Sequence, residues 1–160
     1  MGYSRQPAIA ALENLKSVFP NCIKEREDNK DRLVDIVFSS QGISTEELRN
    51  HLDNAQLLDS GYILHLMQKG ISKGRTLMRL LERVGDGSLS PAEVLVVGDS
   101  ATDLSLFDLF PYSVLIPNPR LSTEERQVLQ GSARYVSQHP YGEGFTEMAL
   151  HVINARARTI

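Results

Sequence analysis

The sequence holds one cysteine, Cys22, and no tryptophan. A single cysteine excludes an internal disulfide and a multi-cysteine zinc site. No apolar stretch approaches the roughly 20 residues that a membrane-spanning helix requires, and the first residues do not have the layout of a signal peptide. We therefore expect a cytoplasmic protein with no membrane partner.

The sequence also lacks a run of basic residues. Its 17 lysines and arginines are outnumbered by 20 acidic residues, which gives a formal net charge of −3. Nucleic-acid-binding surfaces depend on clustered lysine and arginine, so we expect no nucleic-acid partner. A chain of 160 residues with 41% hydrophobic content fits one ordinary domain, or one domain plus part of another.

The first part of the chain is highly charged and mixes helical and strand patterns. Apolar residues at helical spacing predict a helix over 7–18, and Ser44 predicts the start of a second helix over 45–55. Apolar runs predict strands over 32–40 and 61–70. The charged residues 24–31 indicate a solvated loop or hairpin.

The later part alternates regularly between helices and strands. The patterns predict helices over 73–84, 101–110, 124–131 and 145–157, and strands over 93–98, 112–118 and 133–138. Apolar strands that alternate with helices are typical of a parallel sheet covered by helices, so the predicted fold class is α/β. The change in composition predicts that two structural units meet at about residues 68–72.

Two carboxylates follow one of the predicted strands, in the stretch VLVVGDSATDLSLF. Asp99 lies one residue past the strand, where Gly98 permits a sharp turn, and Asp103 lies in the first turn of the next helix. Ligands bind beyond the carboxyl ends of parallel strands, and carboxylates there suit Mg²⁺. The alternative, that both acids only cap the helix, remains open.

Lys73 is placed where the local sequence does not favour it. It begins a predicted helix, although cations prefer the other end of a helix, and Gly74 beside it weakens the helix further. Two unfavourable choices at one point indicate a need for an ammonium group and for close approach of the backbone. The alternative interpretation is an ordinary solvent-facing lysine.

The order GISKG, then about twenty residues, then GDSATD resembles the haloacid dehalogenase superfamily of phosphohydrolases. It is most similar to the subgroup with an α/β cap, which includes sugar-phosphate and sucrose-phosphate phosphatases. The later segments VLIPNP and GEGFTEMALHVI are also similar to that family. The resemblance covers about residues 60–157, and residues 1–60 more loosely. It implies that 1–69 is part of an α/β cap domain and that 70–160 is the C-terminal part of the hydrolase core, with a partial Rossmann-like parallel sheet flanked by helices.

The resemblance also implies roles for five residues. Asp99 would ligate Mg²⁺, and Asp103 would hold a metal-bound water or complete the metal shell. Lys73 would pair with the phosphoryl group during catalysis, with Asp103 as the second catalytic residue. Ser100 and Asn118 would support the bound substrate.

The family's nucleophile is missing from the sequence. We find no DxDx[TV] motif after an apolar strand, and covalent catalysis by a carboxylate requires that aspartate. Thr102 also replaces the asparagine that the family often has. We therefore expect the C-terminal portion of a Mg²⁺-dependent phosphatase that acts on a small phosphate ester, such as a sugar phosphate, and no activity of this chain alone.

Two alternatives and one consequence for association remain. The chain could be a non-catalytic metal-binding, anion-binding or regulatory module, or a plain α/β domain in which the acids only cap a helix. A parallel sheet without its first strand has an exposed edge, through which we expect the chain to self-associate or to pair with the missing half.

Overall fold

The computed structural model describes residues 3–84 and 89–158 of the chain. It contains two compact units, one ending at Ile71 and the other beginning at Ser72. The helix end predicted at Gly85 lies outside the described residues. No helix within the described ranges is long and apolar enough to cross a membrane.

The N-terminal unit is built on a four-stranded antiparallel sheet with the order β1-β2-β4-β3. The strands are β1 (Ile23–Glu25), β2 (Ile36–Ser40), β3 (Ala55–Asp59) and β4 (Leu64–Gln68). The helices are α1 (Gln6–Val18) and α2 (Thr45–Arg49), and a 3₁₀ helix, Glu27–Asp31, follows β1.

One face of this sheet carries the core of the unit. Side chains alternate across a strand, so every second residue of β2, β3 and β4 points to the same face. These residues pack against the apolar stripe of α1 and against α2; the buried set is Ala8, Ala11, Leu12, Leu15, Ile36, Phe38, Leu48, Ala55, Leu57, Leu64 and Leu66.

The structure corrects two predictions for this unit. The helix predicted over 45–55 ends at Arg49, and Ala55 begins β3, which pairs with β4 over its whole length. Burial of Ala55 and Leu57 in the core favours a strand over a longer helix. The strand predicted over 32–40 begins only at Ile36.

The side chain of Asn29 forms backbone hydrogen bonds with β2 just beyond the end of β1. Asn29 Nδ2 donates to the carbonyl oxygen of Val37, and Asn29 Oδ1 accepts from the Val37 N–H, each at 2.8 Å. The amide therefore replaces a paired strand residue, and this explains why the 3₁₀ helix stays against the sheet.

Ion pairs hold the turn before β2. Arg32 donates to both oxygens of Asp35, at 3.1 and 3.2 Å, and also to Asp28. His65 Nδ1 on β4 lies 2.7 Å from Asp35 Oδ2. Burial raises the pKa of Asp35, but the hydrogen bonds from His65 and Arg32 outweigh burial and hold the pKa below its usual value.

The C-terminal unit contains a parallel sheet with the order β5-β6-β7. The strands are β5 (Leu95–Gly98), β6 (Tyr112–Leu115) and β7 (Tyr135–Val136). The helices are α3 (Lys73–Val84), α4 (Leu104–Leu109), α5 (Thr123–Ser132) and α6 (Tyr141–Ala157). The buried core of the unit consists of Val96, Leu106, Phe107, Phe110, Leu115, Leu121 and Leu129.

The lengths of the last two elements differ from the prediction. The strand predicted over 133–138 is limited to Tyr135 and Val136, and the helix predicted from residue 145 begins at Tyr141. Gly144 permits the earlier start, because a Cβ there would lie 2.0 Å from the carbonyl oxygen of His139.

Part of the C-terminal unit exposes apolar surface. Strand β5 is at the sheet edge and pairs, among the described strands, with β6 alone. In α6, Phe145, Leu150 and Ile153 are each more than half exposed. Unpaired strand edges and exposed apolar side chains are each typical of surfaces that another polypeptide segment covers.

Candidate active site

The acids predicted from sequence lie at the carboxyl end of β5. The strand ends at Gly98, and Asp99 and Ser100 lead into a 3₁₀ turn, Ala101–Asp103, that continues into α4. A Cβ at Gly98 would lie 2.3 Å from the Cβ of Asp103. Glycine is therefore required at the strand end because the Asp103 side chain folds back onto it.

Asp103 is buried and accepts many hydrogen bonds. Its Oδ2 accepts from the N–H of Asp99 at 2.9 Å, from the N–H of Ser100 at 3.1 Å and from Ser100 Oγ at 3.3 Å. Its Oδ1 accepts from Lys73 Nζ at 2.6 Å. The carboxylate thus fixes the loop after β5, and the helix-capping interpretation holds for this acid.

Lys73 reaches Asp103 from the first position of α3, where the sequence predicted the start of a helix. Besides Asp103, its ammonium donates to Thr102 Oγ1 at 3.0 Å. The Lys73 side chain is 54% exposed. An ammonium has three N–H donors, so one remains available for a ligand oxygen.

The predicted close approach at Gly74 is confirmed. A Cβ at this position would lie 2.0 Å from the carbonyl oxygen of Ser105 on α4. The Gly74 N–H also donates to Ser105 Oγ at 3.1 Å. Glycine therefore lets α3 begin directly against α4, which places Lys73 over Asp103. The pairing role of Ser105 was not predicted, since one serine in an amphipathic helix gives no sequence signal.

Asp99 has a different environment from Asp103. Within the described residues, its carboxylate accepts a hydrogen bond from one other side chain, Asn118 Nδ2, at 3.3 Å. Burial and the negative charge of Asp103 raise the pKa of Asp99, and the positive charge of Lys73 opposes them only in part. Asp99 is thus a carboxylate that a cation would stabilise.

The two predicted supporting residues are both buried. Ser100 lies behind the acids, and its Oγ is 2.9 Å from Thr102 Oγ1, so the threonine hydroxyl connects Ser100 with Lys73. Asn118 follows β6 and holds its own loop by accepting from the Arg120 N–H at 3.1 Å. Both side chains therefore position the loop and Asp99.

The oxygen atoms at the end of β5 could form part of a metal site. An oxygen of Asp99 is the kind of hard ligand that Mg²⁺ prefers, and Mg²⁺ in proteins usually keeps several waters or phosphate oxygens. Among the described residues, no three or more His, Cys, Asp or Glu side chains are grouped so that they could hold a metal ion. The chain's own side chains therefore supply an incomplete metal shell.

Comparison with known proteins gives a family match. The profile of the haloacid dehalogenase-like hydrolases matches residues 4–126. The phosphoglycolate phosphatase of Methanoculleus marisnigri is 32% identical over 120 residues, which are 72% of this chain and 47% of that protein. The chain spans about half the length of the curated relatives it matches.

Solved structures share the fold. The crystal structure of Thermoplasma acidophilum 0175 gives a TM-score of 0.71 at 24% identity, over 93% of this chain and 62% of that one. The sucrose-phosphatase of Synechocystis, in complex with sucrose and phosphate, gives a TM-score of 0.64 at 18% identity over the same shares. The predicted family resemblance and the α/β fold class are both confirmed.

Proposed function

Because this chain belongs to the haloacid dehalogenase-like hydrolase family, we propose that it is the C-terminal portion of a Mg²⁺-dependent phosphatase that hydrolyses a small phosphate ester. The N-terminal unit would be part of the cap, and the unit from Ser72 onward would be part of the core. Phosphoglycolate is the first substrate to test, because relatives near 30% identity are phosphoglycolate phosphatases. Sugar phosphates are the second class to test, because the likeness to the sucrose-phosphatase rests on the fold alone.

The observation that carries this proposal is the contact between Lys73 and Asp103, 2.6 Å long, next to a half-buried Asp99. The ammonium comes from the first residue of α3, whereas the two carboxylates come from the loop and 3₁₀ turn that follow β5. Lys73 would donate its remaining N–H to a phosphoryl oxygen, and Asp103 would orient that ammonium.

Asp99 would hold the metal through a carboxylate oxygen. When bound, Mg²⁺ would neutralise charge on the phosphoryl group. Asp103 would not ligate the metal directly, because both of its oxygens already accept hydrogen bonds. It would contact the metal only through a metal-bound water. Asn118 would keep the Asp99 carboxylate in place.

The nucleophile would come from outside this sequence. A strand added in parallel beside the free edge of β5 would end at the same side of the sheet as Asp99 and Lys73. The edge position of β5 among the described strands and the exposed apolar side chains of α6 support this proposal. The chain alone would self-associate through the same edge when that segment is missing.

Hydrolysis assays test the catalytic part of the proposal. We expect this chain to hydrolyse neither p-nitrophenyl phosphate nor phosphoglycolate above the buffer rate, since its sequence contains no DxDx[TV] motif to supply the nucleophile. A longer reading frame with a DxDx[TV] motif upstream should hydrolyse one of them with Mg²⁺, and Lys73→Ala should abolish that activity. Turnover by the present chain that disappears in Asp99→Ala would contradict the proposal.

A metal titration tests the site itself. The amide signals of Asp99 and Ser100 should shift with Mg²⁺ in the wild type and much less in Asp99→Asn. Asp108→Asn is the matched control, because Asp108 is an exposed aspartate on α4 close by in sequence. Equal responses in the wild type and in Asp99→Asn would favour a purely structural role for the acids.

The second candidate function is a non-catalytic metal- or anion-binding module. The missing nucleophile favours it, and it shares the metal site with the phosphatase. An upstream DxDx[TV] motif in the same reading frame would exclude it, whereas Mg²⁺ binding without any such motif would support it.

A further inference from the structure

The hydroxyl group of Thr102 lies within the candidate active site, but the proposed phosphatase chemistry gives it no role. Its Oγ1 accepts from Lys73 Nζ at 3.0 Å and lies 2.9 Å from Ser100 Oγ. Ser100 Oγ lies 3.3 Å from Asp103 Oδ2, and Asp103 Oδ1 accepts from Lys73 Nζ at 2.6 Å. The four side chains therefore form a closed ring of hydrogen bonds.

Proton counting fixes the direction of every bond in this ring. Oδ2 of the buried Asp103 also accepts from the N–H groups of Asp99 and Ser100, so it acts as an acceptor towards the Ser100 hydroxyl as well. A serine hydroxyl carries one proton. Because Ser100 donates that proton to Asp103, the contact of 2.9 Å between Ser100 and Thr102 is a hydrogen bond only if Thr102 donates.

The ring thus runs from an ammonium to a carboxylate through two hydroxyl groups. Thr102 donates its only hydroxyl proton to Ser100 and offers a lone pair to Lys73. Hydrogen bonds in a chain polarise one another, and here the cation and the anion at the two ends favour the same direction. Neither hydroxyl retains a proton for a ligand, so within the ring Lys73 alone can donate to a phosphoryl oxygen.

The contact with Thr102 also decides the direction of the third N–H of Lys73. The Lys73 side chain is 54% exposed, and an exposed lysine ordinarily samples many rotamers. A single acceptor leaves an ammonium free to turn about that hydrogen bond, so its other N–H groups sweep a cone. A second acceptor stops this rotation, because the three N–H groups of an ammonium stand at fixed tetrahedral angles.

We propose that Thr102 is the positioning residue of Lys73. Its hydroxyl, itself held by Ser100, fixes the ammonium on Asp103 so that the third N–H points in a single direction. The order of the Lys73 side chain follows from contacts within the C-terminal unit, whereas donation of the third N–H to a phosphoryl oxygen rests on the proposed function. The two parts therefore have separate tests.

The NMR signals of the two Lys73 Hε protons test the order of the side chain. They should differ in chemical shift in the wild type, because the ammonium is held in place. They should average to one signal in Thr102→Val, which keeps the branched shape and removes the hydroxyl. Thr102→Ser keeps a hydroxyl and should show two signals. Thr76→Val is the matched control, because Thr76 is an exposed threonine on α3, and it should give the wild-type signals.

Inorganic phosphate tests the consequence for ligand binding. In titrations followed by the Lys73 signals, Thr102→Val should bind phosphate at least about threefold more weakly than the wild type, and Thr102→Ser should bind within about twofold of it. If the wild type itself does not bind phosphate, the proposed function loses its anion site, while the positioning role is still decided by the Hε signals.

Three results would overturn the proposal. The first is a single averaged Hε signal for Lys73 in the wild type. The second is a Thr102→Val variant that keeps both signals, or a Thr102→Ser variant that loses them, since either would leave Thr102 a purely structural part of the loop. The third is a Thr102 hydroxyl proton that exchanges freely with water in the wild type, because a hydroxyl that donates to Ser100 is protected. This last measurement needs no variant and decides alone if Thr102→Val does not fold.

Discussion

Replacement of Asp103 by asparagine tests whether one buried carboxylate holds the end of β5 and the start of α3 together. Asp103→Asn keeps the size of the side chain but removes its charge and turns one acceptor oxygen into a donor group. The amide can then satisfy either the two backbone N–H groups of the loop or Lys73, but not both.

The expected loss of stability follows from these contacts. The pair with Lys73 contributes about 0.5–1 kcal/mol, because the lysine is more than half exposed. The hydrogen bonds from the loop to a buried charged acceptor weaken by about 1–2 kcal/mol when the acceptor becomes neutral. We therefore expect Asp103→Asn to destabilise the C-terminal unit by about 1.5–3 kcal/mol.

Hydrogen exchange of the β5 and β6 amides measures this loss for the C-terminal unit alone. Lys73→Met should cost about 0.5–1 kcal/mol, and the double variant should give a coupling energy of the same size. Asp108→Asn, at an exposed position, should change the stability by less than about 0.5 kcal/mol. A cost of Asp103→Asn below about 0.5 kcal/mol would refute the anchoring role of this carboxylate.

Two further changes test contacts in each unit. Gly74→Ala should destabilise the C-terminal unit by about 1–3 kcal/mol in a denaturation assay, because the new Cβ would clash with the Ser105 carbonyl. Gly142 is the control: it is also the second residue of its helix, but a Cβ there meets open space, so Gly142→Ala should be neutral or stabilising in that assay. In the N-terminal unit, the pKa of Asp35 is lower in the folded chain than in the unfolded chain, so ionised Asp35 stabilises the fold. This stabilisation is complete above the pKa of Asp35 in the unfolded chain, about 4, and is lost as pH falls through its pKa in the folded chain. Stability followed by β2 and β4 amide signals should thus fall more steeply with acid in the wild type than in Asp35→Asn, while Asp53→Asn, an exposed control, should follow the wild type.

The parts of the site that were predictable follow from the geometry of a parallel sheet. A strand that ends at Gly98 and leads through Asp99 into a helix must leave Asp99 at the carboxyl end of the sheet. The unfavourable pair Lys73 and Gly74 indicated a contact that the local sequence alone did not explain, and Ser105 and Asp103 provide it. Local conflicts of this kind are visible in sequence because they contradict helix propensity.

The parts that were not predictable depend on contacts between distant residues. Strand β3 was missed because the residues after Arg49 continue a helical pattern, and only pairing with β4 makes Ala55 part of a strand. The contact of Asp35 with His65 joins residues 30 positions apart and depends on the register of β2 and β4. No periodicity in one segment contains that register.

The different roles of the two acids also could not be predicted from their spacing in the sequence. In GDSATD both carboxylates stand near a helix N-terminus, and either could cap the helix or face a ligand. The structure separates them by their hydrogen bonds: Asp103 turns inward and accepts from the loop and from Lys73, whereas Asp99 accepts from Asn118 alone among the described side chains. Because Asp103 then adds negative charge beside a half-buried Asp99, the buried acid makes its neighbour the better partner for a cation. The capping and metal-binding interpretations are thus not exclusive, since the negative charge of the capping residue Asp103 makes a cation more favourable at Asp99.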